Sequence, residues 1–263
     1  MSQAPILNTY AAIVSTFTSF LTVAIHTIIY ERGIYPANTF LSARKYNFPV
    51  RQNRHPKVCS WINDAVAAVE SELLKGTVSH VAVVIHDPDS HPLERFLFDV
   101  SNFPKVPAAE LLTPFEAASP SPGPSPATTP QDKPIMKGSA SPDTTQAASK
   151  TTNVVDLEEQ FRAVMRKLAF CGSSLGVLPD GCSFTVSIEL KGDAEAPIGH
   201  PQPWIPSEPS LQPATRDNSL TRGKDLGGVK TRPVRAVEAG EFVMELWIEE
   251  AHTKKDLLTS SSS

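Results

Sequence analysis

The sequence lacks the short motifs that mark the common enzyme classes. It has no glycine-rich phosphate loop, no G-x-S-x-G nucleophile motif, no H-E-x-x-H zinc motif and no paired cysteines. Acidic pairs such as Glu158-Glu159 fall at surface-like positions and need no catalytic role. These absences argue against an enzyme, and we expect no metal and no cofactor.

Cysteine is scarce as well. The chain has only Cys59, Cys171 and Cys182, an odd number without the spacing of metal ligands. Such residues are typical of buried thiols in a reducing compartment, which here means the cytosol or the nucleus.

An excess of charge of one sign is also missing. The net charge is −4 and the isoelectric point is about 6.0, so no overall field attracts the chain to nucleic acid. Basic residues do cluster locally, within residues 44–57 and 222–235. Because such clusters are usually solvated loops, we expect contact with DNA only through partner proteins.

One segment, residues 6–30, is long and apolar enough to suggest a membrane span. It contains several serines and threonines and His26, which a membrane-spanning helix rarely carries. No basic residue precedes it and no clear cleavage site follows it, so it does not resemble a signal peptide. We interpret it as a buried helix and expect no membrane association.

Apolar residues at three- and four-residue spacing predict three helices. The first stripe covers residues 10–28 and ends before Pro36. The second covers residues 58–73 and is closed by Gly76, and the third covers residues 154–175. The first stripe is so broad that its helix must be covered on more than one side.

Four segments have the composition of strands. Residues 78–86 form a nearly continuous apolar run, which predicts a strand covered on both faces. A turn at residues 87–92 and a second strand at 93–100 complete an antiparallel hairpin, and residues 183–190 predict another strand. Residues 40–50 are predicted to be extended and only partly paired, because Pro49 interrupts them.

The end of the chain alternates between apolar and polar residues. Phe242, Met244, Leu246 and Ile248 point to one side, and Trp247 lies on the other side among glutamates. An aromatic residue on a polar face is a common anchor for a partner, although a tryptophan half-covered by its neighbours has the same pattern. This last strand follows a long connection rich in proline and glycine, which predicts that it can move.

The resulting fold class is α+β, with three helices packed on a mainly antiparallel sheet. Residues 1–103 and 151–252 form the two parts of one domain. Proline, serine and threonine dominate residues 104–150, and we predict disorder from residue 106 to about residue 150. A disordered tail at residues 253–263 completes the organisation.

Histidines and aspartates near the predicted hairpin are the best metal candidates. They are His80, His86, Asp87, Asp89 and His91. His80 and His86 lie six residues apart on one strand, too far to share an ion easily. We therefore favour a polar turn flanked by ordinary strand histidines.

Several spaced motifs resemble the HORMA-domain family, and within it the accessory subunits of translesion DNA polymerase zeta. They are Val23-Ala24-Ile25-His26, Ile29-Tyr30, Tyr35-Pro36, Lys45-Tyr46-Asn47, Val81-Ala82-Val83-Val84-Ile85, Arg162-Ala163, Gly181-Cys182, Pro203-Trp204-Ile205 and Leu246-Trp247-Ile248-Glu249-Glu250-Ala251-His252. The resemblance covers both ordered ends of the chain. It departs at the insertion and at a longer run over residues 211–228.

The resemblance implies a HORMA-like fold with a safety belt, residues 197–252, that closes over a short peptide of a partner. The implied peptide is a proline-containing segment of the polymerase zeta catalytic subunit. Trp61, Trp204 and Pro206 match the peptide-binding positions, although Trp61 is also explained by packing in the core. The implied location is the nucleus, and also the cytoplasm.

The resemblance also implies two further surfaces. Glu245, Trp247 and, with weaker family character, Thr231 match a docking surface for the C-terminal domain of a deoxycytidyl-transferase-type translesion polymerase. Arg162 matches the position through which HORMA domains form homo- or heterodimers, but an exposed helix arginine explains it too. A checkpoint regulator of the anaphase-promoting machinery is the alternative function.

Overall fold

The computed structural model describes residues 7–115, 154–192, 194–197, 204–205, 229–251 and 254. The helices are α1 (Tyr10–Glu31), α2 (Pro56–Leu74) and α3 (Val154–Ala169). The strands are β1 (Phe40–Lys45), β2 (Phe48–Asn53), β3 (Val78–His86), β4 (Pro92–Asp99), β5 (Ser183–Leu190), β6 (Val229–Ala239) and β7 (Phe242–Ala251). Short 3-10 helices lie at Ala37–Thr39, Ala108–Glu110 and Cys171–Ser173.

Five strands form the main sheet in the order β5-β3-β4-β7-β6, and β1 pairs with β2 in a separate two-stranded sheet. Every pairing among the described residues is antiparallel. The predicted α+β class, with three helices on a mainly antiparallel sheet, is confirmed.

Helix α1 is the central helix of the core. The Thr9 side chain accepts a hydrogen bond from the Ala12 N–H and so caps its first turn. The Tyr10 hydroxyl donates to the Leu73 carbonyl at 2.6 Å, which ties α1 to the end of α2, and burial raises the pKa of Tyr10 to about 12. By length and composition alone α1 could cross a membrane, yet 67% of its most apolar window is buried inside the protein. Its contacts are those of a core helix.

The two-stranded sheet corrects the expectation that Pro49 interrupts residues 40–50. Pro49 lies within β2, opposite Arg44, and the strands meet at Tyr46 and Asn47, which both have positive φ. Such φ values are typical of a tight hairpin turn. An edge strand tolerates a proline whose missing N–H would face solvent, so the pairing is preserved.

Strand β6 was not predicted. Its inward residues Val234, Val237 and Ala239 do not follow a period of two, because the register shifts between Pro233 and Arg235. This bulge, with a proline and basic residues around it, gives the sequence the composition of a loop. The alternation predicted for β7 is confirmed, since Phe242, Met244, Leu246 and Ile248 are all buried.

Two predicted boundaries are wrong. Helix α3 ends at Ala169; Cys171 is buried in the 3-10 helix that follows, and Leu175 is buried just beyond it. Residues 106–115 fall in the segment predicted to be disordered, but they pack on the domain: the Ala11 N–H donates to the Leu111 carbonyl and the Phe115 N–H to the Asn8 carbonyl. Residues 116–150 lie outside the described residues.

The predicted disordered tail is also wrong at Lys254. This side chain is buried and ion-paired with Glu94 and Glu250. The other residues of 253–263 lie outside the described part of the chain.

Candidate functional site

The outer edge of β5 is the first feature of the candidate site. Strand β5 lies at one end of the main sheet and pairs with β3 along its length. Among the described residues, no strand pairs with its other side. An unpaired strand edge presents a row of backbone N–H and C=O groups that an extended peptide can join.

Aromatic side chains lie at the beginning of this edge. The Trp61 ring, from α2, meets the Phe184 ring edge-on, with centroids 5.0 Å apart, and Tyr35 contacts the same ring at 6.4 Å. Trp61 is 43% exposed, so the alternative that it is a core residue is wrong. An exposed, rigid aromatic surface next to a free strand edge suits an apolar peptide side chain.

Trp204 is half-buried and packs against the main core. Its indole Nε1 is buried and has no hydrogen-bond partner among the described residues. Pro206 lies outside the described residues. The peptide-binding roles of Trp61, Trp204 and Pro206 therefore stay predictions.

The outer face of the sheet carries a small apolar cluster of its own. Half-buried Trp247, from β7, covers Ala82, Val84 and Leu97 of β3 and β4. The His80 ring meets the Trp247 ring edge-on at 5.7 Å. Trp247 is thus partly covered by its neighbours, as the more conservative interpretation predicted, and still presents part of its ring to solvent.

A charged network surrounds this cluster. The Arg95 guanidinium bridges Glu189 of β5 and Glu249 of β7, the latter at 3.2 Å. His80 Nδ1 lies 3.3 Å from Glu189, and this hydrogen bond is the main reason why the pKa of His80 is raised, despite burial. Burial alone would raise the pKa of Glu189, but hydrogen bonds from His80 and Arg95 outweigh it and lower that pKa.

The three predicted docking residues share this outer face. Glu245 is exposed two residues before Trp247 in β7. Thr231 is exposed in β6 and pairs with Glu249, which places it diagonally across from Trp247. The sheet therefore brings Glu245, Trp247 and Thr231 onto one surface, and their docking role remains a prediction.

Arg162 lies elsewhere, on α3. Its guanidinium forms an ion pair with Glu159 at 3.0 Å, and its side chain is 33% exposed. A shallow cavity of about 390 Å³ beside it is also lined by Gln160, Arg166 and Arg235. This placement leaves both the dimer role and the ordinary exposed arginine open.

The turn between β3 and β4 brings Asp87, Asp89 and His91 within 4.8 Å of one another. Asp87 already accepts a hydrogen bond from the His91 N–H at 2.8 Å and contacts the His91 ring at 3.1 Å. These bonds are those of a closed polar turn, and His80 belongs to the outer-face network instead.

Two features of the site were missed from the sequence. The edge position of β5 depends on strand order, which no local pattern carries. The Arg95–Glu189–Glu249 network joins residues 94 and 154 positions apart. Alternation alone puts Glu189 and Glu249 on outward positions of their strands, but it does not say that the strands lie on either side of one arginine.

Comparisons with known proteins agree on one family. The family model "HORMA domain" matches residues 14–224. A DNA polymerase zeta processivity subunit of Schizosaccharomyces pombe is 29% identical over 243 residues, covering 92% of this chain and 94% of that protein. The mitotic spindle assembly checkpoint protein MAD2B of Danio rerio is 26% identical over 253 residues, covering 94% and 95%.

A solved structure, that of C. elegans HTP-2 bound to HTP-3 closure motif 1, has the same fold. The TM-score is 0.56 at 12% identity, and the match covers 94% of this chain and 89% of that one. The family model and the relatives indicate no enzymatic family. Because the matched residues make up most of the chain, this protein belongs to the HORMA-domain family.

Proposed function

We propose that this protein is a non-catalytic adaptor that captures a proline-containing peptide of the catalytic subunit of translesion DNA polymerase zeta. The peptide would add a strand to the outer edge of β5 and be enclosed by the safety belt, residues 197–252. The observation that carries the proposal is the outer edge of β5, with which no described strand pairs, next to exposed Trp61 packed against Phe184. The processivity-subunit name of one relative and the closure-motif complex of another HORMA protein support it.

Two features suit a peptide that contains proline. Proline favours the extended backbone that strand addition needs, and its ring buries apolar surface against an aromatic wall at little entropic cost. Trp204 Nε1 has no hydrogen-bond partner among the described residues, and we propose that a peptide carbonyl accepts from it. Slow release follows, because the belt must reopen before the peptide leaves.

A second partner would dock on the outer face around Trp247, with Glu245 and Thr231 at its side. We assign this surface to the C-terminal domain of a deoxycytidyl-transferase-type translesion polymerase, so that the protein bridges two polymerases during tolerance of DNA damage. DNA is then reached only through these partners. The protein would act in the nucleus, with a cytoplasmic fraction, and imaging of a fluorescent fusion tests that location.

Point variants test capture better than removal of the belt. Deleting residues 203–252 would remove β6 and β7, whose buried side chains belong to the core, so loss of binding would be uninformative. Trp61→Ala should weaken binding of a proline-containing catalytic-subunit peptide by about tenfold to a hundredfold. Leu41→Ala, at an exposed apolar residue of β1, is the matched control and should leave binding unchanged. Equal affinities for wild type and Trp61→Ala would refute capture at this edge.

Bridging has its own test. Trp247→Ala should weaken binding of the second polymerase's C-terminal domain and leave peptide capture intact, whereas Trp61→Ala should weaken peptide capture and leave binding of that domain intact. Arg162→Ala should reduce self-association in sedimentation if α3 forms a HORMA dimer. Loss of both ligands in the same variant would speak against two separate surfaces.

The checkpoint function is the second candidate, because a relative of similar identity is named as a spindle assembly checkpoint protein. The two functions predict different phenotypes on deletion. Sensitivity to DNA-damaging agents supports the polymerase adaptor, and sensitivity to spindle poisons supports a regulator of the anaphase-promoting machinery.

A further inference from the structure

Four charged side chains form a buried cluster where the end of the chain returns to the sheet. Arg32 follows α1, Glu94 lies in β4, Glu250 lies in β7 and Lys254 lies beyond β7. Their side chains are between 0% and 11% exposed. We call these four residues the C-terminal ionic cluster.

Both cations of the cluster donate several hydrogen bonds within it. The three donors of the Lys254 ammonium go to Glu94 Oε1, to the Gly176 carbonyl at 2.8 Å and to Glu250 Oε1 at 3.0 Å. Arg32 donates two parallel hydrogen bonds to the Glu94 carboxylate, of 2.8 and 2.7 Å, and a third to the Gly176 carbonyl. Buried charges with this degree of pairing hold one arrangement, and the loss of one partner is costly.

The two carboxylates explain why Lys254 matters most. Glu94 and Glu250 are direct partners across β4 and β7, and like charges in that position repel. Arg32 neutralises Glu94 alone, whereas Lys254 bonds to both carboxylates. Burial acts to raise the pKa of Glu250, but the Gly176 N–H, Lys254 and Arg232 outweigh it and lower that pKa. Lys254 thus turns a repulsive strand pair into an attractive one.

This strand pair is where the hairpin of β6 and β7 joins the sheet. Strand β7 pairs with β4 and β6, and β6 pairs with β7 alone among the described residues. The hairpin can therefore leave the sheet only if β7 separates from β4, and separation breaks the bonds through which Lys254 joins Glu94 to Glu250.

We propose that the C-terminal ionic cluster sets how fast the β6–β7 hairpin separates from β4, with Lys254 as the positioning residue that holds it closed. In the free protein this rate is the opening rate of the hairpin. Where the proposed function holds, it also limits the release of a captured peptide.

The first test compares Lys254→Met with wild type in the full chain. Amide hydrogen exchange in β6 and β7 should become about a hundredfold faster, while exchange in β3 stays unchanged. The rate constant for peptide dissociation should rise by a similar factor, and association should change by no more than about threefold. Lys75→Met is the matched control, because Lys75 is 54% exposed and pairs with Glu72 on α2; neither rate should change.

Two further variants separate charge from packing. Adding Glu250→Gln to Lys254→Met removes the repulsion, and exchange in β7 should slow again by about tenfold. Lys254→Arg keeps the charge and should stay within about threefold of wild type, which provides a decisive comparison if Lys254→Met does not fold.

Unchanged exchange in Lys254→Met, no rescue by Glu250→Gln, or an arginine variant as fast as the methionine variant would each overturn the proposal. Hydrogen exchange is measured without a ligand. A protein that binds no peptide therefore refutes the proposed function, while the exchange data still decide the role of the cluster.

Discussion

The two edges of the main sheet differ in how they are protected. The outer edge of β6 carries Pro233 and a bulge, and α3 covers part of it: the Gln160 amide pairs with both the N–H and the carbonyl of Glu238, and Lys167 donates to the Val234 carbonyl. The β5 sequence, SFTVSIEL, contains no proline and no basic residue, and no described strand pairs with its outer side.

Exposed strand edges invite pairing with other chains, and proteins usually block them. Here the outer edge of β6 is blocked by three means, whereas no described strand pairs with the outer edge of β5, and this contrast supports the proposal that a peptide adds to β5.

Single prolines in β5 should have the largest effect. Neighbouring residues of an antiparallel strand direct their N–H groups to opposite sides, so of Val186 and Ser187 one faces β3 and the other faces the open edge. Proline at the residue facing β3 should unfold the domain. Proline at the other residue should keep thermal stability within a few degrees and weaken peptide binding by at least about a hundredfold. If a folded protein with proline at the residue that faces the open edge still binds the peptide as wild type does, β5 is not the binding edge.

Acid should destabilise the protein at the two-stranded sheet, which is separate from both edges of the main sheet. Buried His26 accepts a hydrogen bond from the Asn53 N–H at 3.3 Å, and burial lowers its pKa to about 4. Below pH 6.5 the unfolded chain binds a proton that the folded chain refuses until about pH 4. Stability should thus fall by about 3 kcal/mol over this window.

Urea unfolding of wild type and His26→Asn between pH 7.5 and 4.5 measures this loss. Asparagine keeps an acceptor but does not titrate, so the difference between the two proteins should shrink as the pH falls. If the free energies of unfolding of the two proteins change with pH in parallel, His26 does not cause the loss of stability in acid.

Removing the α3 side chain that covers the edge of β6 should lower the free energy of unfolding by less than protonation of His26 does. Gln160→Ala leaves the Glu238 backbone groups to water, because the site is exposed, so we expect a loss of about 1 kcal/mol or less in urea unfolding. Sedimentation should reveal more self-association, since the edge is uncovered. Gln52→Ala, at an exposed residue of β2, should do neither. A Gln160→Ala protein that is as monomeric as this control would show that α3 does not guard the edge.

The smallest effect concerns the side-chain network that holds β5 to its neighbours. The pKa of His80 is raised in the folded protein. Protonated His80 therefore stabilises the fold fully below pH 6.5, and this stabilisation is lost as the pH rises through the raised pKa. Glu189 and Asp99 face the ring, with Arg95 nearby, and partial exposure limits the loss to less than about 1 kcal/mol. Thermal unfolding of wild type and His80→Gln between pH 5.5 and 9 should converge at high pH. A constant difference between them would contradict this role.

Much of the architecture was predictable. The stripes of α1 and α2, the continuous apolar run of β3 and the alternation of β7 each arise from local contact with one core, so local patterns report them. Strand β6 was missed for a physical reason: its bulge shifts the inward positions by one residue and Pro233 imitates a loop. The site was predictable only in part. Trp61 and Trp247 stand out as residues, whereas the contact between Trp61 and Phe184 joins α2 to β5 and depends on the tertiary structure.

The sequence by itself determined which segments become helices and strands, and which faces of them are apolar, because both depend on residues only a few positions apart. The tertiary structure alone decided that, within the described residues, β5 has an unpaired outer edge and β6 a covered one. It also decided that Glu94 faces Glu250 with Lys254 between them. These features depend on strand order and on contacts between residues as many as 160 positions apart, and no periodicity along the chain records such contacts.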